Sequence, residues 1–180
     1  MLIKNYGLYW RRNVIAEYSG NKAEYTGSWA RQGELLGIGV RKRRQKEVDF
    51  ATQRGIYALY DDNFRLIYVG QVGRGERRLY RRLRSHTLNN LADRWTRFSW
   101  FGLLEVSKEP NKHGRFELVE STEDVQADYV TVMNQMEAIL IMAAEPIRNA
   151  KNGDFGPGVT HYRQTRRGER VDELLDDEIE

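Results

Sequence analysis

Apolar and polar positions alternate over residues 55–60 (GIYALY) and return over residues 65–69, with the turn formers Asp61, Asp62 and Asn63 between them. That pattern predicts a β-hairpin. Residues 71–75, with Gly73 and Gly75, break its second arm. Leu79 and Leu83, four apart in a stretch without Gly or Pro, predict a helix over residues 76–91. Residues 98–106 are apolar and aromatic and read as a buried strand; 108–114 read as a turn and 115–120 as a shorter, partly exposed strand. Ser121 or Thr122 can cap a following helix, where Glu123 and Asp124 suit the positive end of its dipole. Val125, Tyr129, Val132, Met133, Met136, Ile139, Leu140 and Ala143 then form one apolar stripe at helical spacing, and Pro146 ends it. The order β-β-α-β-(β)-α predicts a mixed α/β (α+β) fold, a small layer with a central antiparallel sheet flanked by helices.

The first 40 residues are rich in Gly and in aromatics such as Tyr6, Tyr9, Trp10, Tyr18, Tyr25 and Trp29, which suggests a few antiparallel strands. A charged run over residues 41–47 separates them from the rest and suits either a solvated junction or a phosphate contact. The expected organisation is a β-rich extension over 1–50, a main domain over 51–152 and a C-terminal segment with an acidic tail over 153–180.

Composition narrows the function. The longest unbroken apolar run is residues 138–144, far short of the roughly 20 residues of a membrane span. The first residues lack the basic-then-apolar plan of a signal peptide, so a soluble cytoplasmic protein without a membrane partner is expected. Without cysteine there is no disulfide scaffold, thiolate zinc site or cysteine nucleophile. The net charge of +3 hides an asymmetry: residues 169–180 hold seven acids and one base, and the other 168 residues carry 28 Lys+Arg against 19 Asp+Glu, or +9. A basic body with an acidic tail points to a polyanionic partner, commonly nucleic acid.

Two tripeptides carry the chemistry. Gly55-Ile56-Tyr57 and Tyr68-Val69-Gly70 stand on opposite arms of the hairpin and put two phenols within reach of one site. Arg82 and His86, four apart, project from one face of the following helix, with Arg78 one turn earlier. Glu137 reads equally as an ordinary surface acid of the long helix or as a carboxylate at the rim of its apolar stripe, where it is costly unless paired or metal-bound. Asn149 follows just beyond that helix.

From Gly55 to Asn149 the chain resembles the GIY-YIG nuclease family, with Val69 where that family usually has Ile. Arg82 followed four residues later by His86 is similar to its restriction and homing endonucleases. The resemblance implies a metal-dependent endonuclease hydrolysing DNA phosphodiester bonds. It implies Tyr57 as the group that activates or positions water, Tyr68 as a contact to the phosphate or nucleophile, and Arg82 as the phosphate clamp. His86 would assist proton transfer, Glu137 would be the sole protein ligand of magnesium (or manganese), and Asn149 would orient the site. Because a phenol with a pKa near 10 is a weak base at neutral pH, Tyr57 then needs Arg82, metal-bound water or His86 close by to favour its phenolate.

Arg74, Arg77, Arg78, Arg81 and Arg84, with Glu76 the sole nearby acid, read as a nucleic-acid-binding surface beside the site. Trp95 and Trp100 read as core, and His113 and His161 as structural. The substrate is expected to be DNA, duplex or branched or single-stranded, and a duplex cutter with one site per chain implies a homodimer or two successive nicks. Two alternatives stand: a catalytically inactive nucleic-acid-binding module of the same fold, and an RNA-directed nuclease. The acidic tail suits either a disordered segment or a DNA mimic that competes for the basic surface.

Overall fold

The computed structural model describes residues 2–16, 33–40, 46–73, 78–112, 115–121, 129–144, 155–156 and 158–165, with backbone alone for 129–133. Its elements in chain order are β1 (Asn5–Arg11), α1 (Asn13–Ala16), β2 (Leu36–Gly39), β3 (Glu47–Asp49), β4 (Gly55–Tyr60), β5 (Leu66–Val72), α2 (Leu79–His86), β6 (Arg97–Gly102), β7 (Glu105–Val106), β8 (Leu118–Val119), α3 (Tyr129–Ala144) and β9 (Thr160–Gln164). Seven strands make one sheet in the order β3-β2-β9-β1-β6-β4-β5, while β7 and β8 form a separate ribbon. Within the large sheet only β1 and β9 run parallel. The fold is mixed α/β, with a mostly antiparallel sheet and few helices among the described residues. None of those helices is long and apolar enough to cross a membrane.

The alternation seen in β4 divides two cores. Tyr57 and Leu59 face a cluster with Leu79, Leu83, Trp95, Phe98 and Trp100, so α2 lies on that side. Ala58 and Tyr60 face the opposite cluster, with Phe101, Ala138, Ala143 and Phe155, so α3 lies on the other. Burial of each large apolar side chain contributes about 1.5–3 kcal/mol. Strands from residues 1–50, 51–152 and 153–180 all enter this one sheet, β1 at its centre between β9 and β6. Trp95 and Trp100 are both fully buried, as the aromatic run implied.

A small buried polar network sets the height of α2 over the sheet. Gln53 Nε2 donates to Asn5 Oδ1 (2.8 Å), Leu104 N donates to Gln53 Oε1 (3.0 Å), and Asn5 Nδ2 donates to the Leu104 carbonyl (2.9 Å). The carbonyls beside it, of Gln53 and Ala51, accept from Leu79 N and Tyr80 N, two of the free N–H groups at the start of α2. The helix is thus hung from the segment that leads into β4.

Several elements differ from the pattern-based expectation. The helix predicted over 76–91 is regular only over Leu79–His86, because Ser85 and Thr87 hydroxyls bond back to carbonyls and Asn89 Oδ1 takes the Leu91 N–H. Such short side chains compete with helical hydrogen bonding. The strand predicted over 98–106 breaks after Gly102, where Leu104 gives both backbone groups to Gln53 and Asn5 instead of a ladder. In α3 the buried positions are Gln135, Ala138 and Ala143, while Met136 and Leu140 are 57% and 64% exposed. Gln135 Oε1 accepts from Leu2 N and Ile3 N, which turns that side of the helix inward. Because α3 is apolar nearly all round, periodicity alone could not pick its buried side.

Replacing Gln53 by Ala orphans the Asn5 amide oxygen and the Leu104 N–H together. A loss of about 1–3 kcal/mol is expected in urea unfolding; a change below about 0.5 kcal/mol would show that the network does not hold the fold.

Candidate active site

Tyr57 and Gly70 are direct cross-strand partners on β4 and β5. A Cβ at Gly70 would lie 2.3 Å from Tyr57 Oη and 2.5 Å from its Cζ. The glycine of the second tripeptide is therefore the floor across which the Tyr57 ring lies. Gly55 acts differently: its φ is +143°, and a Cβ there would meet the Phe101 carbonyl oxygen at 1.9 Å. It allows β4 to close on β6 at the strand start.

Tyr68 pairs with Leu59, two residues from Tyr57, so both phenols share the α2 face. Their ring centroids are 6.0 Å apart, and the Tyr68 and His86 rings 4.8 Å. Leu79, Tyr80, Leu83 and His86 form the buried side of α2, which brings Arg82 and His86 over the hairpin. Arg82 Nε donates to Tyr57 Oη (3.1 Å), and its Nη2 donates to Tyr68 Oη (3.2 Å). His86 Nε2 lies 2.8 Å from Tyr57 Oη. Four of the expected residues thus meet around one phenol oxygen.

Asn89, which the sequence reading passed over, fixes the direction of these bonds. Its Oδ1 is taken by Leu91 N–H (2.9 Å), so its Nδ2 faces His86 Nδ1 at 3.2 Å. An amide NH₂ only donates, so Nδ1 accepts and the proton of the neutral ring sits on Nε2. This assignment rests on the hydrogen-bond network. His86 then donates to Tyr57, whose oxygen already accepts from Arg82. The Tyr57 hydroxyl proton is left on the side of Tyr68, whose ring centroid is 6.0 Å away. Trp95 Nε1 steadies His86 by donating to its carbonyl (3.3 Å). The three-residue step from His86 to Asn89 was the available signal for this residue.

The electrostatics follow burial. Tyr57 has no exposed surface, and burial pushes its phenol up to about 12, more than the Arg82 hydrogen bond pulls it down. Arg82 and His86 do stand beside Tyr57, and Arg82 pulls its phenol down, but burial outweighs that pull. Burial and then the charge of Arg82 hold His86 below its ordinary value, so it is neutral at pH 7. Hydrogen bonds to Tyr57 and Tyr68 raise Arg82 above the ordinary arginine value.

Of the remaining expected residues, those described do not join the cluster. Glu137 is exposed on α3, which packs on the opposite face of the sheet from Tyr57. It is not the rim carboxylate that the stripe implied, because the inward side of α3 is set by Gln135, Ala138 and Ala143. Arg78 and Arg84 are half-buried and Arg81 is exposed, all on or beside α2; of the three neighbours none reaches the phenols as Arg82 does. Asn149, Arg74, Arg77 and His113 lie outside the described residues. His161 stacks on Tyr6 with ring centroids 4.7 Å apart, away from the site.

The donors at the cluster are phenol, guanidinium and imidazole. Among the described residues no group of three His, Asp or Glu side chains could share an ion. That set does not fit magnesium, a hard cation that takes oxygen ligands and commonly a carboxylate. No protein-family model, curated protein or solved structure matches the chain.

Two outcomes are expected. Gly70→Ala should cost about 1–3 kcal/mol by overpacking and should displace Tyr57; wild-type stability would show that β5 yields freely. The folded-state value of Tyr57 stands above the unfolded value of about 10. Its contribution is therefore full below pH about 10 and is lost as pH rises toward 12. Unfolding measured across that window should fall more steeply for wild type than for Tyr57→Phe; parallel curves would contradict the burial of the phenol.

Proposed function

We propose that the chain is an endonuclease that hydrolyses DNA phosphodiester bonds, using Tyr57, Tyr68, Arg82 and His86 within a GIY-YIG-like layer of β4, β5, α2 and β6. The observation that carries this reading is the bridge made by Arg82. It binds both phenols through two of its five N–H donors, and the others remain for phosphate oxygens, which match a planar guanidinium fork.

Hydrolysis forms a bond from water oxygen to phosphorus and breaks one P–O ester bond. The water loses a proton and the departing alkoxide gains one. The dominant need is a fixed positive field where charge grows on the phosphoryl oxygens, which Arg82 supplies from a site already bonded in place. Tyr57 is sealed from solvent, so it does not meet the water. Tyr68 is half-buried and accepts from Arg82, which leaves its own O–H for the phosphate or the water. Tyr57 and His86 act through Tyr68 as positioning residues. This keeps for Tyr68 the contact that the family resemblance implies and makes the part of Tyr57 indirect.

A second reading has its own support. The lack of a carboxylate beside the cluster among the described residues, with a Tyr57 phenol held protonated, also suits a nucleic-acid-binding module without catalysis.

Cleavage of supercoiled plasmid, single-stranded DNA and structured RNA, each with magnesium or EDTA, separates these. The nuclease reading expects DNA cleavage that Arg82→Ala lowers by about 10²–10³-fold, and a larger loss for Tyr68→Phe than for Tyr57→Phe. Binding without cleavage on every substrate would support the module, and cleavage confined to RNA would correct the substrate. Magnesium-dependent cleavage that survives Glu137→Ala would put the ion on donors other than Glu137.

A further inference from the structure

A second concentration of positive charge lies at one end of the sheet. Arg97 of β6, Arg11 of β1 and Arg163 of β9 come from three neighbouring strands and line one concavity of about 450 Å³. Arg12 joins Arg11 and Arg97 around an adjoining concavity of about 560 Å³, where Asp62 is the acid among the described lining residues. Three guanidinium groups thus share that concavity with one described carboxylate.

Arg11 and Arg97 are direct cross-strand partners. Like charges in that position destabilise a sheet unless an anion lies between them. Among the described residues no carboxylate pairs with Arg11, Arg12 or Arg97. The backbone beneath them is held firmly: Arg11 N donates to Gln164 Oε1 (2.7 Å), and Gln164 Nε2 donates back to the Arg11 carbonyl (3.1 Å). Two of the guanidinium groups are also positioned by aromatic rings. Arg97 sits 4.6 Å from the Phe64 centroid, and Arg12 sits 5.2 Å from that of Trp95 and donates to its carbonyl (3.2 Å). Trp95 is the residue whose indole N–H meets the His86 carbonyl. Trp95 therefore touches both Arg12 and the cluster, whereas Arg97, the cross-strand partner of Tyr60, and Arg11 project from the α3 face of the sheet.

We propose that Arg11, Arg12, Arg97 and Arg163 form a phosphate-binding rim that holds the DNA backbone at this end of the sheet. This rests on the nuclease reading for its choice of DNA, and adds a contact surface separate from the arginines of α2. Phosphate contacts of this kind position a nucleic acid without reading its sequence, and they weaken as salt rises.

The test is fluorescence anisotropy of a labelled DNA duplex with the full chain in EDTA, from low to moderate salt. The variants are Arg11→Gln with Arg97→Gln, and Arg163→Gln alone, each checked by thermal unfolding. The double variant should bind about tenfold more weakly, with the slope of log K against log salt shallower by about two, one for each lost contact. The single variant should shift the slope by about one. Unchanged affinity and slope in folded variants, or no binding by wild type, would overturn the rim. A rim that binds as described in a protein that cuts nothing would leave this inference standing while the catalytic reading fails. Cleavage by wild type, with binding indifferent to these arginines, would do the reverse.

Discussion

The site depends on a missing atom. Because Gly70 has no Cβ, the Tyr57 phenol can cross onto β5, where its oxygen lies 2.8 Å from His86 Nε2 and 3.1 Å from Arg82 Nε. Any side chain at position 70 would occupy the space of that oxygen. With Tyr57 placed, Arg82 has a fixed anchor and can reach Tyr68 as well; without it the guanidinium would be a mobile surface charge. Backbone geometry thereby becomes electrostatic order.

The same burial that orders the site constrains its chemistry. A phenol pushed up to about 12 is ionised in about one molecule in 10⁵ at pH 7. Tyr57 is accordingly a neutral acceptor and a spacer, with Tyr68 at the solvent edge. His86 is neutral because it is enclosed beside a cation. Arg82 carries the resting positive charge of the cluster, and its bonds to the phenols leave donors for a phosphate.

Local pattern was enough for the hairpin, for Arg82 and His86 on one helical face, and for Trp95 and Trp100 in the core. These depend on spacing within about ten residues. What could not be read depends on packing between distant segments. The sheet is seven strands wide because β1 and β9, more than 150 residues apart in the chain, pair with one another. The inward side of α3 is chosen by Gln135 reaching Leu2 and Ile3, which a helix apolar on most sides does not announce. That choice is also why Glu137 faces solvent. Asn89 escaped notice because a turn asparagine looks like a loop former until its amide is seen between Leu91 and His86.

The account turns on the direction of hydrogen bonding, from Asn89 to His86 and from His86 to Tyr57. Long-range ¹H–¹⁵N correlation of the three histidines, with His86 assigned through His86→Gln, reads that direction. The geometry predicts a neutral His86 ring protonated on Nε2, unchanged from pH 8 to below the ordinary histidine value of about 6.5. A proton on Nδ1, or an imidazolium at neutral pH, would contradict it.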